Sequence, residues 1–439
     1  MIKPVAHVTE MPCLASACLD SLHDLEQQLL DAQALIEAWL RDQWRKTPPP
    51  VYASVDLRNA GFKLAPVDTN LFPAGFNNLK EEFVPLAVQA VQEVLDRLAP
   101  GCRRVLLIAE NHTRNQFYFE NLLSLQDIFC QAGFEVRIGS LLEELAGKRE
   151  LDLASGRRIV LEKVIRQEQQ LLTDGFLPCL ILLNNDLSNG IPDIFKGIKQ
   201  LILPMMELGW HRRLKSNHFK EYQQVCHELA QLIHCDAWLL NPLFSSCSGV
   251  NFLKREGEAM LVEQSRLLLA DIQKKYDEYA IKEKPYVVIK ADSGTYGMGI
   301  LTVHDPAQLQ QLNRKERNDM RVAKGNRAIE QVIIQEGVYT FERWNEATAE
   351  PVVYLIGQYV IGGFYRVHRK RGVSDNLNSP GMQFEPLPFL KACNVPTLAN
   401  RQKGQCANRF YIYGLVARLA VLAAAREQAA LSKQGLAHE

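Results

Sequence analysis

Apolar residues in the first half of the chain recur at intervals that predict helices alternating with strands. Helical spacing, with an apolar residue every three or four positions, covers residues 19–46, 81–98 and 117–132. Alongside these helices lie short apolar runs typical of buried strands, namely VYASVD (51–56), RRVLLIAE (103–110), FEVRIGS (134–140) and LPCLILLNND (177–186). Because strands that alternate with helices form parallel, layered sheets, residues 1–240 are predicted to form an N-terminal parallel α/β domain.

The pattern changes after residue 240, where predicted strands follow one another more closely. Helices are predicted over residues 257–280 and 408–432. The strands are PYVVIKAD (285–292), VIIQEGV (332–338), EPVVYLI (350–356) and QYVIGGFYRV (358–367). Strands in close succession favour an antiparallel sheet, so residues 241–400 are predicted to form a second, α+β domain. Residues 401–439 are predicted to form a C-terminal helix that packs on it.

A long polar stretch, VDLRNAGFKLAPVDTNLFPAGFNNL (55–79), shows little periodicity and is predicted to be a loop from residue 59 onwards. Long loops inside compact domains are usually functional. Polar loops also follow two later strands, at residues 110–115 and 184–188. Arginine and lysine hold carboxylates, and aspartate holds ammonium groups, so these strand ends predict an amino-acid pocket. Its candidate residues are Arg58, Lys63, Asp68, Asn70, Arg114 and Asn184. The alternative, in which polar loops merely cap the strands, stays open.

Composition narrows the class of protein. The 439 residues carry 50 Lys plus Arg and 50 Asp plus Glu, and this balance argues against a protein dominated by binding to nucleic acid or to an anionic membrane. Ten cysteines without a Cys-x-x-Cys pair predict reduced thiols. Without a signal peptide or a membrane span in the sequence, a cytoplasmic protein is predicted. The oligomeric state is not indicated.

Residues 210–220 form a basic patch with four Lys or Arg and no acid. In a neutral protein this patch favours a clamp for phosphate or carboxylate, in which Arg212 and Lys215 would contact the substrate. Contact with nucleic acid is the alternative reading of the same residues.

The segment VVIKADSGTYGMGI (287–300) places Lys290 at the end of an apolar strand, followed by Gly294, Gly297 and Gly299. Glycines let the backbone approach a phosphate chain closely, and an anchored lysine supplies a fixed positive charge. The spacing matches neither the P-loop nor the Rossmann fingerprint. A glycine-rich hairpin with a surface lysine is the alternative.

Three further segments extend this reading. Gln335, Glu336 and Val338 end a β-branched strand, where they could contact adenine and ribose, although a plain strand end has the same pattern. Glu350 and Arg366 lie on the next two strands, and a loop with oxygen donors follows. Asn376 and Asn378 alternate on that loop and point the same way, which suits Mg²⁺, although an Asn-rich turn would look alike.

The order of these four segments resembles the ATP-grasp superfamily. The resemblance implies that Lys290 and the Gly294–Gly299 flap cover the phosphates, that residues 335–338 hold adenosine, and that Arg366 stabilises the transferred phosphoryl group. It also implies that Glu350, Asn376 and Asn378 hold Mg²⁺, or Mn²⁺ in its place. The motif Asn376-Leu377-Asn378-Ser379-Pro380-Gly381 begins with Asn where that family often has Glu. By its distance from Lys290, Lys254 is the candidate for the superfamily's first lysine.

Together with the 55–79 loop, the Asn184-Asn185-Asp186 loop and ELGWHRRLKSNHF (207–219), the chain resembles the proteobacterial glutamate–cysteine ligase family with an ATP-grasp-like catalytic domain. The resemblance implies that ATP activates glutamate as an acyl phosphate, which cysteine then attacks to give γ-glutamylcysteine. The catalytic residues would be Lys290 and Arg366. Another ATP-grasp amino-acid ligase, or a nucleotide-binding regulator without turnover, remains as an alternative.

Overall fold

The structure is a computed structural model that describes residues 19–111, 115–294, 299–321, 329–387 and 409–436. The helices are α1 (Leu19–Asp31), α2 (Gln33–Lys46), α3 (Val84–Leu98), α4 (Gln116–Gln131), α5 (Lys215–Ile233), α6 (Glu258–Glu278), α7 (Arg314–Asp319) and α8 (Arg409–Leu436). The strands of the first half are β1 (Tyr52–Asn59), β2 (Leu64–Asn70), β3 (Arg104–Ile108), β4 (Glu135–Ser140), β5 (Lys148–Asp152), β6 (Arg158–Lys163), β7 (Ile165–Gln167), β8 (Gln170–Leu172), β9 (Leu180–Leu183) and β10 (Leu201–Leu203). Those of the second half are β11 (Phe244–Ser248), β12 (Val287–Ala291), β13 (Ile300–Val303), β14 (Gln331–Glu336), β15 (Arg343–Trp344), β16 (Ala347–Ile356), β17 (Tyr359–His368) and β18 (Gln383–Pro386).

The central sheet has the order β18-β17-β16-β1-β2, with β15 paired to β16, and its pairs are antiparallel. Side chains alternate between its two faces. On one face, Val55, Leu57 and Val353 pack into the core that α8 covers. On the other face, Tyr52 and Tyr354 pack beneath α3, and farther along the same strands this face becomes polar. The polar end of this face is left open to form a site.

Helix α8 is apolar around much of its circumference because it is buried between elements on several sides. It packs on α5, β2, β1 and β16, and its residues from Tyr411 to Ala425 are almost fully buried. The predicted C-terminal helix is therefore observed, and it contacts elements from both halves of the chain.

The parallel sheet has the order β10-β9-β3-β4-β6-β5, in which all pairs are parallel except β5 with β6. The alternation of helix and strand correctly predicted three of these strands, β3, β4 and β9, to be parallel, whereas the fourth predicted strand, VYASVD, is β1 of the central sheet. Cys102 and Cys179, which precede β3 and β9, form a disulfide with their Cα atoms 5.7 Å apart. The expectation of reduced thiols is therefore wrong for this pair, whose proximity arises only from strand pairing.

The third sheet, β11-β14-β12-β13, is antiparallel and packs against α6. Apolar residues of β12 and β14 form a separate core with α6. The antiparallel character expected for the second half of the chain is thus observed, although its strands divide between this sheet and the central one.

Two sequence expectations need adjustment. Residues 64–70 are not loop but strand β2, which pairs with β1 through a bulge at Asp56 and Leu57. The central sheet also takes strands from both sides of the predicted boundary at residue 240, because β1 pairs with β16. The division at residues 240 and 400 stays a prediction about separate folding units. Among the helices of the described residues, none is both long and apolar enough to cross a membrane.

Candidate active site

A cavity with an empty volume of about 860 Å³ opens where the central sheet meets the third sheet and the start of α5. Four acidic and four basic side chains line it, so its formal charges balance. The lining residues are Asp56, Arg58, Val67, Asp68, Lys215, Val288, Lys290, Ala291, Ser293, Gly294, Ile300, Thr302, Gln335, Glu336, Val338, Glu350, Arg366, Ser374, Asn376 and Asn378.

The register of the central sheet brings charged side chains together at its polar end. Glu350 on β16 lies opposite Arg366 on β17, and Asp56 on β1 lies opposite Asp68 on β2. Residues directly opposite on antiparallel strands have neighbouring side chains, so the second pair would repel if nothing compensated it. Each aspartate has a cation of its own, Arg366 for Asp56 and Lys215 for Asp68.

Glu350 is the centre of a buried ion network. Its Oε1 accepts a hydrogen bond of 2.6 Å from Arg366 Nη1, and its Oε2 accepts one of 2.9 Å from Arg58 Nε. Burial opposes ionisation, but the two guanidinium groups outweigh it and hold the pKa of Glu350 below its ordinary value. Arg366 Nη1 also donates to Asp56 Oδ2 at 2.8 Å. Burial nevertheless raises the pKa of Asp56, an effect that Arg366 offsets only in part.

Lys290 connects the third sheet to the central sheet. Its Nζ donates to the carbonyl oxygen of Val67 at 2.8 Å and to Oε1 of Gln335 at 2.7 Å. Burial lowers the pKa of Lys290 to about 8, although Asp68 acts in the opposite direction. Lys215 is also fixed, because its Nζ donates to Asp68 Oδ1 at 2.7 Å. The two lysines therefore have defined positions on the cavity wall.

Two buried donors in the cavity lack a hydrogen-bond partner among the described residues. They are Nε2 of Gln335 and Nε of Arg366. An unsatisfied buried N–H costs roughly 1–3 kcal/mol, so an acceptor supplied by a ligand would stabilise both. Phosphate and carboxylate oxygens are acceptors of this kind.

The glycine-rich turn after β12 begins at the cavity. Gly294 lines it. Gly294 and Gly299 have backbone φ angles of +104° and +62°, which residues other than glycine rarely adopt. Gly297 lies outside the described residues. The root of the turn is held by Asp292, whose carboxylate accepts hydrogen bonds from the backbone N–H and the hydroxyl of Ser216 at the start of α5.

Two predicted residues belong to a different buried pair. Lys63 Nζ lies 2.7 Å from Glu336 Oε2, and the carboxylate of Glu336 also accepts from Trp238 Nε1 and from the backbone N–H of Leu243. Lys63 is not among the residues that line the cavity. Because Lys63, Trp238 and Leu243 already contact its carboxylate, Glu336 lines the cavity but offers no free acidic group to a ligand.

Three other predicted site residues do not line the cavity. Asn70 shapes the turn after β2 by hydrogen bonds to Phe72, and Arg212 is exposed. Lys254 has a side chain that is 70% exposed, 3.9 Å from Glu256. Arg114 lies outside the described residues.

Asn184 is buried between β9 and the chain that follows β2. Its Nδ2 donates to the carbonyl oxygen of Pro73 at 2.9 Å, and its Oδ1 accepts from Nδ2 of Asn121 at 3.1 Å. Asn121 Oδ1 accepts in turn from the backbone N–H groups of Gly75 and Phe76. The carboxyl edge of the parallel sheet, expected to be part of an amino-acid pocket, is therefore packed against the protein's own loop at this point.

Sequence reasoning missed Asp56, Ser374 and several apolar wall residues. The signal for Asp56 was present: Ser54, Asp56 and Arg58 alternate with Val55 and Leu57 on β1, which predicts one polar and one apolar face. No comparable local pattern marks Ser374, which reaches the cavity through the loop after β17.

The oxygen donors of the cavity fit Mg²⁺ in kind. Asp56, Glu350, Asn376 and Asn378 carry the carboxylate and amide oxygens that hard cations prefer. Both oxygens of Glu350 contact arginines, and Asn376 Oδ1 accepts from the backbone N–H of Asn378. Within the described residues no cluster of three or more Asp, Glu, His or Cys could hold a metal alone, so such an ion would depend on ligand oxygens as well.

Comparison with known proteins identifies the class as a carbon–nitrogen ligase. The chain belongs to the glutamate–cysteine ligase family, whose model matches residues 26–428. The activity that follows is the ligation of glutamate to cysteine in glutathione synthesis. The resemblance of the sequence to the glutamate–cysteine ligase family is confirmed.

One solved structure agrees with this assignment. A 1.90 Å crystal structure of a candidate γ-glutamylcysteine synthetase from Methylobacillus flagellatus KT is 52% identical, with a TM-score of 0.89 over 95% of this chain and 99% of that chain. A glutathione synthetase-like effector from Globodera pallida is 10% identical, with a TM-score of 0.35 over 86% of this chain and 84% of that chain. D-alanyl-alanine synthetase A from Vibrio cholerae is 10% identical, with a TM-score of 0.32 over 72% and 81%. The last two similarities are too weak to support a conclusion about this chain. No curated protein matches it.

Proposed function

We propose that the central cavity is the place where ATP, glutamate and cysteine react. The observation that carries this proposal is the convergence of Lys290, Arg366 and Gly294 on one cavity that also holds paired acids and bases. Phosphoryl transfer depends mainly on positioning and on the neutralisation of charge, which fixed cations supply. The balance of charges suits two zwitterionic amino acids as well as the polyanion ATP.

ATP would occupy the side of the cavity formed by the third sheet. Val288, Ile300 and Val338 give this side apolar walls for the adenine ring, and Gln335 Nε2 is a donor for a ring nitrogen. Lys290 and the turn from Gly294 to Gly299 would contact the phosphates. The carboxylate of Glu336, held by Lys63, would stabilise this wall and would not bind ribose.

The amino acids would occupy the side formed by the central sheet. An α-ammonium group can bind Asp68 or Asp56, and a carboxylate can bind Lys215 or Arg58. Arg366, whose Nε has no partner among the described residues, would face the carboxylate that is phosphorylated. Because the side chains of Arg58 and Arg366 already contact Glu350, they would hold a defined orientation before substrate binds.

The chemistry then proceeds in two steps. An oxygen of the glutamate γ-carboxylate attacks the γ-phosphorus of ATP, the bond from that phosphorus to the bridging oxygen breaks, and ADP leaves. The neutral amine nitrogen of cysteine attacks the acyl carbon, phosphate leaves with its electron pair, and the nitrogen gives up a proton to the departing phosphate. Lys290 and Arg366 would stabilise the negative charge that develops in each step. Mg²⁺, when bound, would neutralise phosphate charge, with Asp56, Glu350, Asn376 and Asn378 as its candidate ligands in this chain.

The test is ATP-dependent phosphate release with glutamate and each of several acceptor amino acids, with the product identified by mass spectrometry. We expect release that requires both glutamate and cysteine. Lys290→Ala should lower kcat by about 100-fold, since it removes a fixed donor at the transferred group. Lys282→Ala, at an exposed lysine before the same strand, is the matched control and should retain activity. Near-normal ligation by Lys290→Ala would contradict the site.

A further inference from the structure

A buried ion network lies behind the cavity wall, centred on Glu427 of α8. Glu427 Oε2 accepts from Arg213 Nε at 3.0 Å, and its Oε1 accepts from Arg213 Nη2 at 3.1 Å. Nδ1 of His218 lies 2.5 Å from the same Oε1. All three side chains are buried, although none of them lines the cavity.

The network holds strand β2 from behind. Arg213 Nη1 donates to the carbonyl oxygen of Thr69 at 2.7 Å, and His218 Nε2 lies 2.9 Å from Thr69 Oγ1. The two preceding residues contact the lysines of the cavity: Asp68 contacts Lys215, and Val67 contacts Lys290. Three consecutive residues of β2 therefore connect the network to the cavity. Thr69 is held by the partners of Glu427, and the two residues before it contact the lysines of the cavity wall.

Charge gives Glu427 a specific part in this arrangement. Arg213 and Lys215 lie two residues apart in the chain, and both lie over the ring of Trp210, at 5.2 and 4.2 Å from its centroid. Glu427 and Asp68 are the carboxylates that partner these two cations, one for each. Arg213 and His218 hold the pKa of Glu427 at about 2 despite its burial. If Glu427 lost its charge, Arg213 would compete with Lys215 for Asp68, because a buried cation requires a partner.

We propose that Glu427 is a positioning residue for the Asp68–Lys215 pair, through which the C-terminal helix determines how the enzyme binds its amino-acid substrates. The inference rests on the proposed function of the cavity. It assigns a role in substrate binding to a residue of α8 that contacts no substrate.

The neighbouring residue provides a matched control. Arg426 also joins α8 to α5, through a two-fold ion pair with Glu228 at 2.6 and 2.7 Å. That pair is partly exposed and contacts neither β2 nor the cavity. Glu427→Gln removes the ion pair of α8 with Arg213, which directly precedes α5, and Arg426→Gln removes an ion pair of α8 with α5 itself. Only the first should affect the cavity.

The experiment measures kcat and the three KM values of both variants in the ligation assay, with thermal unfolding as the control for folding. We expect Glu427→Gln to raise KM for glutamate or cysteine about tenfold and to leave KM for ATP within twofold. Arg426→Gln should leave all KM values within twofold. A purely structural role would lower kcat through loss of folded enzyme while the KM values stayed equal, and that result would overturn the proposal.

Thr69 provides a second test if Glu427→Gln does not fold. Thr69→Ser keeps the hydroxyl that contacts His218, whereas Thr69→Val has nearly the same shape and removes it. We expect a raised KM for an amino-acid substrate in Thr69→Val and recovery in Thr69→Ser. Equal KM values in the two variants would overturn the proposal. Near-normal ligation by Lys290→Ala would instead overturn the proposed function of the cavity, so the two failures are distinguishable.

Discussion

Polar side chains gather in two regions of this molecule, the central cavity and the carboxyl edge of the parallel sheet, and their hydrogen bonds distinguish the two. At the edge, Asn184 and Asn121 are satisfied by each other and by the loop at Pro73 to Phe76. In the cavity, Gln335 and Arg366 each retain a buried donor without a partner among the described residues. The first arrangement is complete without a ligand, and the second is not.

The loop that covers the edge has a conformation fixed by a glycine and by aromatic packing. Gly75 adopts a φ of +111°, and a Cβ there would lie 2.7 Å from the hydroxyl of Tyr354, which donates to Ala74. Phe76 packs edge to face against Tyr52 and Tyr354. Open α/β sheets commonly bind ligands at this edge. A polar edge does not establish a binding site by itself, however, because the protein's own loop can satisfy its polar groups, as it does here. The partners of each polar group must be known.

The strongest test of the contrast is Arg366→Gln. If Arg366 neutralises the transferred phosphoryl group, kcat should fall by about 10³-fold, the lower end of the range for arginines with this role. Arg366→Lys, which keeps the charge but loses the planar fork, should retain more activity. Steady-state phosphate release, normalised to folded enzyme, measures both.

Stability must be measured in parallel, because Arg366 also pairs with Asp56 and Glu350. Breaking a buried ion pair costs about 3–5 kcal/mol of unfolding free energy. A variant that is less stable but turns over normally would show that Arg366, like Asn184, has a structural role, and the contrast between the regions would fail.

The second test uses the pKa of Lys290, which burial lowers to about 8. A lowered pKa means that the free enzyme loses this positive charge as pH rises through about 8, well below the ordinary range of lysine. At saturating amino acids, kcat/KM for ATP should therefore decrease about tenfold per pH unit above that value, since this parameter reports the enzyme before ATP binds. Bound phosphates favour the charged lysine, so the decrease in kcat should occur at higher pH.

Lys290→Arg is the control, because arginine stays charged throughout this range. The decrease in kcat/KM should move to higher pH in this variant. An unchanged pH profile would assign the titration to another group and would remove Lys290 from the ATP site.

Local patterns predicted many of the elements, and tertiary pairing determined the rest. The apolar alternation of β16 and β17 was readable, but their register was not. Ile356 pairs with Tyr359 at the turn, and counting back would place Glu350 opposite Tyr365. A bulge after Tyr354 shifts the pairing by one residue and places Arg366 there instead. That single shift creates the ion pair on which the cavity depends.

Strand β2 and the role of Lys63 were missed for a related reason. The segment LAPVDTN contains a proline and polar residues that weaken the strand pattern, and its conformation depends on pairing with β1. The charge of Lys63 suits a substrate contact, but its actual partner is Glu336, which lies 273 residues away in the sequence. Whether a lysine faces a ligand or a buried carboxylate is decided by such distant partners.

The smallest effect on activity is expected from Asn184→Ala. This variant leaves the carbonyl of Pro73 and Nδ2 of Asn121 without their partners, and each unsatisfied group costs roughly 1–3 kcal/mol of unfolding free energy. The denaturation midpoint should fall, while KM for glutamate and for cysteine should stay within twofold. Gln335→Ala is the counterpart from the cavity and should raise KM for ATP, because it removes the Nε2 donor that has no partner among the described residues. It should also lower stability, because Gln335 Oε1 accepts a hydrogen bond from the buried Lys290 Nζ. If Asn184→Ala raised an amino-acid KM tenfold at unchanged stability, the sheet edge would be a substrate site, as the sequence alone predicted.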